Sequence, residues 1–143
     1  MLSETHKMKK LKNLSAVTLT ELILVVIIVG ILVGFGIPKY QKAIKQAKEK
    51  NAIVNLRLIK TAQNIYRAEV KNYYPHPAGG LADADMINTN LKLGLIEDDV
   101  TYTCASGSLT SFTCTAGDTS AGWRYEITQS LDAPACSAGV CSY

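Results

Sequence analysis

Glu21 is the side chain whose position most invites chemistry, because it stands at the edge of LILVVIIVGILVGFGI, Leu22 to Ile37, a run without a single charge. An ionised carboxylate placed in a membrane-depth helix costs roughly a few kcal/mol unless it finds a partner. Two readings are open: Glu21 reaches polar headgroups at a membrane boundary, or it pairs with a cation and has a purpose there. The second group is the thiols. Cys104, Cys114, Cys136 and Cys141 all fall in the last 40 residues, a polar, turn-rich region beyond the apolar run. An even count in that setting points to disulfides formed in an oxidising compartment. A zinc site would compete, but there is no CxxC spacing and the only histidines are His6 and His76. Of the possible pairings, the sequence-local Cys104–Cys114 with Cys136–Cys141 is favoured. No nucleophile–base set, metal cluster or phosphate loop is present, so no catalytic residue, metal or cofactor is expected. Asp83 and Asp85 lack enough further oxygen ligands for calcium and read as capping or solvation.

The elements that must position these groups follow from pattern. With Val17 to Glu21, the apolar stretch reaches 21 residues, which at about 1.5 Å per residue spans about 30 Å, the hydrocarbon thickness of a bilayer. A secretory signal would place its lysines against the apolar run and a small-residue cut site after it. Here Lys7, Lys9, Lys10 and Lys12 are separated from the run by Asn13 to Glu21, and Gly36-Ile37-Pro38-Lys39-Tyr40 follows it. The candidate cleavage point therefore precedes the run. Within it, Gly30, Gly34 and Gly36 each cost a helix up to about 1 kcal/mol relative to alanine. Pro38 removes a hydrogen bond and crowds the carbonyl of Gly34. These residues predict a softened helix, with close helix approach through the GxxxG spacing of Gly30 and Gly34 as the alternative.

Beyond Pro38, Tyr40, Ile44, Ala47, Val54, Leu58, Ala62 and Ile65 recur at helical spacing, and Ile53, Leu56 and Ile59 widen the apolar surface. One face is expected to pack on the head and the other to meet further subunits. A helix from Val17 to about Val70 would be near 80 Å long, too long for its own small head to cover. Asn72 to Gly80, with two prolines and two glycines, ends it. Asp83 to Gly94 predicts a short helical turn. Val100–Cys104 and Ser111–Cys114 alternate and flank a turn at Ala105–Ser108, which predicts a hairpin, and Trp123–Thr128 adds a third strand. Charge divides along the same lines: residues 1–16 carry +3, residues 17–71 carry +6 and residues 72–143 carry −6. The basic stem could neutralise nucleic-acid phosphates, but a solvated helix face or contact with acidic heads accounts for the same lysines, so nucleic acid is at most a minor partner.

Ala16-Val17-Thr18-Leu19-Thr20-Glu21-Leu22, the apolar run, and Ile37-Pro38-Lys39-Tyr40 resemble the N-terminus of type IV pilins and type II secretion pseudopilins, a pattern with glutamate fifth and proline twenty-second in the mature chain. Ala16, Val17 and Thr20 depart from the family's usual glycine, phenylalanine and aliphatic residue, and Met8 offers a second start with a leader of more usual length. The resemblance implies an α+β fold: a long N-terminal helix packed against a small antiparallel β head. It implies a leader, 1–16, removed by prepilin peptidase after Ala16, with Val17 as the methylated new terminus. A membrane and filament-core helix, 17–38, an amphipathic helix, 39–71, and a disulfide-stapled head, 72–143, would follow. It also implies insertion in the inner membrane with the head periplasmic, an inner-membrane assembly platform as partner, and a helical homopolymer of the chain. In that polymer the Val17 amine would face Glu21 of a neighbour. Unit charges about 4 Å apart attract by roughly 4 kcal/mol at an effective dielectric of about 20, enough to penalise misregister. Helices of this family loosen near the glycine and proline region, which favours the softening reading. Family heads also tie C-terminal cysteines back to the sheet, the rival disulfide arrangement. A pseudopilin and a single-pass anchored binding protein are the alternatives in function.

Overall fold

The chain enters its first helix through a reciprocal pair of contacts. In the computed structural model, which describes residues 18–77 and 79–143, the Thr18 amide donates to Glu21 Oε2 and the Glu21 amide donates to Thr18 Oγ1, each at 3.3 Å. Thr18-Leu19-Thr20-Glu21 is thus a capping box, in which cap and third helical residue satisfy each other's free N–H groups. Helix α1 then runs Leu19–Val70 with Pro38 inside it. It stops where Lys71 takes a left-handed conformation, φ 68°, ahead of Pro75 and Pro77. The leader 1–16, Ala16 and Val17 lie outside the described residues.

The chain divides into two compact units after Lys39. The described part of the first is one helical segment. The second, Tyr40–Tyr143, holds the rest of α1, β1 (Leu81–Ala82), α2 (Ala84–Leu91), β2 (Thr101–Ser108), β3 (Ser111–Asp118), β4 (Trp123–Thr128) and β5 (Ala135–Gly139). The five strands form one antiparallel sheet in the order β1-β2-β3-β4-β5. The architecture is α+β, a long N-terminal helix with an antiparallel sheet.

Alternation decides the sheet's inner face. Tyr102 and Cys104 on β2, Phe112, Cys114 and Ala116 on β3, and Trp123, Tyr125 and Ile127 on β4 are buried, while the residues between them turn outward. From α1, Ala52, Leu56, Ile59 and Ala62 join the same core, with Ile87 and Leu91 of α2 closing one side. Asp83 caps α2, its Oδ1 accepting the Met86 amide at 2.9 Å.

Two sequence expectations need adjustment. The hairpin turn is not at Ala105–Ser108: β2 continues to Ser108 and the chain reverses at Leu109–Thr110, with an irregular register between Ala105 and Ser108. Pairing to β1, where Leu81 faces Ala105, holds this stretch extended despite its turn-forming composition. β1 and β5 were not expected from sequence, because each is too short or too polar to show alternation.

Candidate assembly surface

From Leu19 to Ile37 every large apolar side chain is between 48% and 75% exposed. Among the described residues nothing covers this segment, and by length and composition it is able to cross a membrane. An uncovered apolar surface of this extent is what membranes and partner chains cover in other proteins. Gly30 and Gly34 have no neighbouring atom within 4 Å of where a Cβ would stand. Among the described residues nothing therefore requires glycine there, and α1 runs helically through Gly30, Gly34, Gly36 and Pro38.

Glu21 has a role that the motif reading did not assign. Besides the capping contacts, its Oε2 accepts from the Thr18 hydroxyl at 3.3 Å, so within one chain the carboxylate closes the start of α1. The signal was present as T-x-x-E immediately before an apolar run.

On α1 between Tyr40 and Val70 there are two apolar faces, roughly 140° apart at about 3.6 residues per turn. The core takes the face of Ala52, Leu56 and Ile59, flanked by Glu49 and Gln63, all buried. The face that looked primary in sequence is mostly the outer one: Tyr40, Ile44, Val54, Leu58 and Ile65 are exposed, and Ala62 alone is buried. The inner face was masked in sequence by its two polar members. Gln63 pairs twice with the Tyr74 backbone, Nε2 to the carbonyl at 2.5 Å and Oε1 from the amide at 2.9 Å. Glu49 accepts from the Tyr125 hydroxyl at 2.9 Å, the Ser142 amide at 2.6 Å and the Ser142 hydroxyl at 3.0 Å. A buried polar group is costly only when unpaired. These two instead pin the irregular segments on either side of the sheet. Burial and the Glu49 carboxylate both push the Tyr125 phenol above its ordinary value.

One stem lysine meets two acids of the head. Lys48 contacts Asp99 and lies 3.9 Å from Asp118, and the Asp99 hydrogen bond raises its pKa. Asp118 accepts from the Ser120 hydroxyl at 2.5 Å and from the Ser120 and Ala121 amides at 2.8 and 2.9 Å. The Ser120 hydroxyl, then those amides and Lys48, hold its carboxyl below the ordinary range. Two disulfides form, Cys104–Cys114 across β2 and β3 and Cys136–Cys141 beyond β4. The outer sheet face bears a concavity of about 400 Å³ lined by Thr101, Thr103, Thr115, Gly117 and Arg124. Among the described residues no group of three or more metal-ligating side chains converges.

No family model, curated protein or solved structure matches the chain. The surfaces themselves carry the functional reading: an uncovered apolar helix, a capped acidic residue at its start, and a stapled head.

Proposed function

We propose that the chain is a structural subunit of a type IV pilus or related filament, trimmed after Ala16 and N-methylated at Val17 by prepilin peptidase. It is held in the inner membrane, with the head on the periplasmic side, and assembled from there for adhesion, motility or DNA uptake. The observation that carries this reading is the helix from Leu19 to Ile37, whose apolar side chains are all exposed in the single chain. Lipid covers them before assembly and copies of the same helix cover them afterwards. Gly30, Gly34, Gly36 and Pro38 supply the compliance that the change of surroundings requires, and no described side chain packs where a Cβ at Gly30 or Gly34 would stand. The Glu21 carboxylate faces the Val17 amine of the neighbour and sets axial register rather than net cohesion, because desolvation offsets most of such a pair's attraction. The disulfide-stapled head favours a pilin over a type II secretion pseudopilin.

The capping box allows Glu21's two roles to be separated. Glu21→Gln keeps a residue suited to the third position of the box and removes the charge. Leader cleavage and helix content are expected to stay normal while sheared filaments, counted by electron microscopy, disappear. Thr18→Ala removes the cap, at a cost of about 0.5–2 kcal/mol, and filaments persist. Wild-type filament yield from Glu21→Gln would remove the alignment role, and an intact N-terminus on the working protein would favour a single-pass anchored binding protein.

A further inference from the structure

In the segment after β5, Cys141 packs against the core and the other residues are fastened by polar contacts. Val140 is 79% exposed and Tyr143 is 54% exposed. What holds the segment is one face of α1. Lys45 Nζ donates to the Val140 carbonyl at 2.8 Å. Ser142 gives Glu49 both its amide and its hydroxyl proton, at 2.6 and 3.0 Å. The Tyr143 amide donates to the Tyr125 hydroxyl at 3.3 Å, and Lys50 Nζ stands 5.2 Å from the Tyr143 ring centroid. Glu49 itself is wholly buried, so these partners are also what makes the burial of its carboxylate tolerable.

The covalent restraint on this segment is Cys136–Cys141, whose half-cystines are five residues apart and partly exposed. Between them Gly139 turns at φ +78°, and a Cβ there would lie 1.6 Å from the Gly122 carbonyl oxygen, so only glycine lets the loop sit against β4. The other disulfide, Cys104–Cys114, is 0% exposed at both residues. Thiol–disulfide exchange requires a thiolate to reach a sulfur. Of the two bonds, one is open to attack and the other is enclosed by the core.

We propose that Cys136–Cys141 is a thiol–disulfide exchange site for dithiol reductants, and that exchange there releases Val140–Tyr143 from Glu49. A thiolate of the dithiol attacks one sulfur of the pair, forming a mixed disulfide and expelling the other cysteine as a thiolate. The second thiol of the reductant, as its thiolate, then displaces the remaining cysteine and closes the reductant's own disulfide. The protein gains two electrons and, once its thiolates are protonated, two thiols, and the dithiol is oxidised. With the loop open, the backbone is the only covalent tether left on Val140–Tyr143, and its contacts to Lys45, Glu49 and Tyr125 then compete with water without the crosslink behind them. The Glu49 carboxylate, losing two of its hydrogen bonds, draws water onto the α1 face that carries Lys45 and Glu49.

The test uses the full chain in detergent, titrated with dithiothreitol without denaturant, trapped with N-ethylmaleimide and mapped by mass spectrometry, with amide exchange at Ser142 followed in parallel. Cys136 and Cys141 are expected to label at a dithiol concentration about tenfold or more below that for Cys104 and Cys114, since access sets the rate. Exchange at Ser142 is expected to rise about tenfold as they label, as for a locally opened segment. Equal labelling of all four cysteines would overturn the exchange site. Selective labelling with unchanged Ser142 protection would overturn the release.

Discussion

Between Leu19 and Ile37 the chain leaves every large apolar side chain exposed, whereas from Tyr40 onward the same helix divides its apolar residues between a covered and an uncovered face. The first region resolves nothing within the molecule: its residues are apolar all round, so any side can meet lipid or protein. The second discriminates, and it does so through polar residues. Glu49 and Gln63 sit on the covered face because the sheet unit offers Ser142, Tyr125 and the Tyr74 backbone as partners. The uncovered face of Val54, Leu58 and Ile65 is the more uniformly apolar of the two and still lacks a cover. Hydrophobicity alone therefore does not tell which face of a helix is core; available hydrogen-bond partners decide.

The contrast is sharpest between neighbours two residues apart. Leu56 is 0% exposed and Leu58 is 49% exposed, so Leu56→Ala is expected to cost about 2–5 kcal/mol of stability. Leu58→Ala should stay within about 0.5 kcal/mol. Chemical denaturation of the full chain in detergent checks both, and comparable losses would erase the distinction between the two faces. In the first region, Ile27→Asp is expected to cost about 2.5–3.5 kcal/mol of membrane insertion with the thermal unfolding of the disulfide-bearing unit unchanged. Membrane fractionation alongside calorimetry reads the two effects separately. The smallest effect concerns acid. The Asp118 carboxyl is held below its ordinary value by Ser120, the turn amides and Lys48. Its contribution is fully present above the usual carboxylate range and is lost as pH falls through the lowered value. Stability is expected to decline below about pH 4, and Asp118→Asn to flatten that decline; an unchanged acid limb would remove Asp118 from it.

Period and composition were enough to read some elements. The uncharged run and the Pro75 and Pro77 cluster after Val70 bound a long helix. The patterns in Ser111–Cys114 and Trp123–Thr128 mark strands, and the structure gives each one covered face. The favoured cysteine pairing rested on sequence proximity, and Cys104 and Cys114 do stand opposite each other in register. The filament role of Glu21 rests on motif position, while its capping role could be read locally and needed only the N-cap pattern to be recognised.

Other features had no local signature. Ala105–Ser108 has the composition of a turn, yet pairing with β1 made it strand. Glu49 and Gln63 have the composition of a solvated face, yet their spacing with Leu56 and Ile59 placed them inside, where distant backbone groups receive them. The sequence by itself determined that a long helix would present more apolar surface than one small head can cover, because that depends only on length and residue type. Only the tertiary structure decided which face is covered and which disulfide stays open to solvent, because burial and hydrogen-bond partnership depend on groups up to 95 positions apart in the chain, as between Lys45 and Val140.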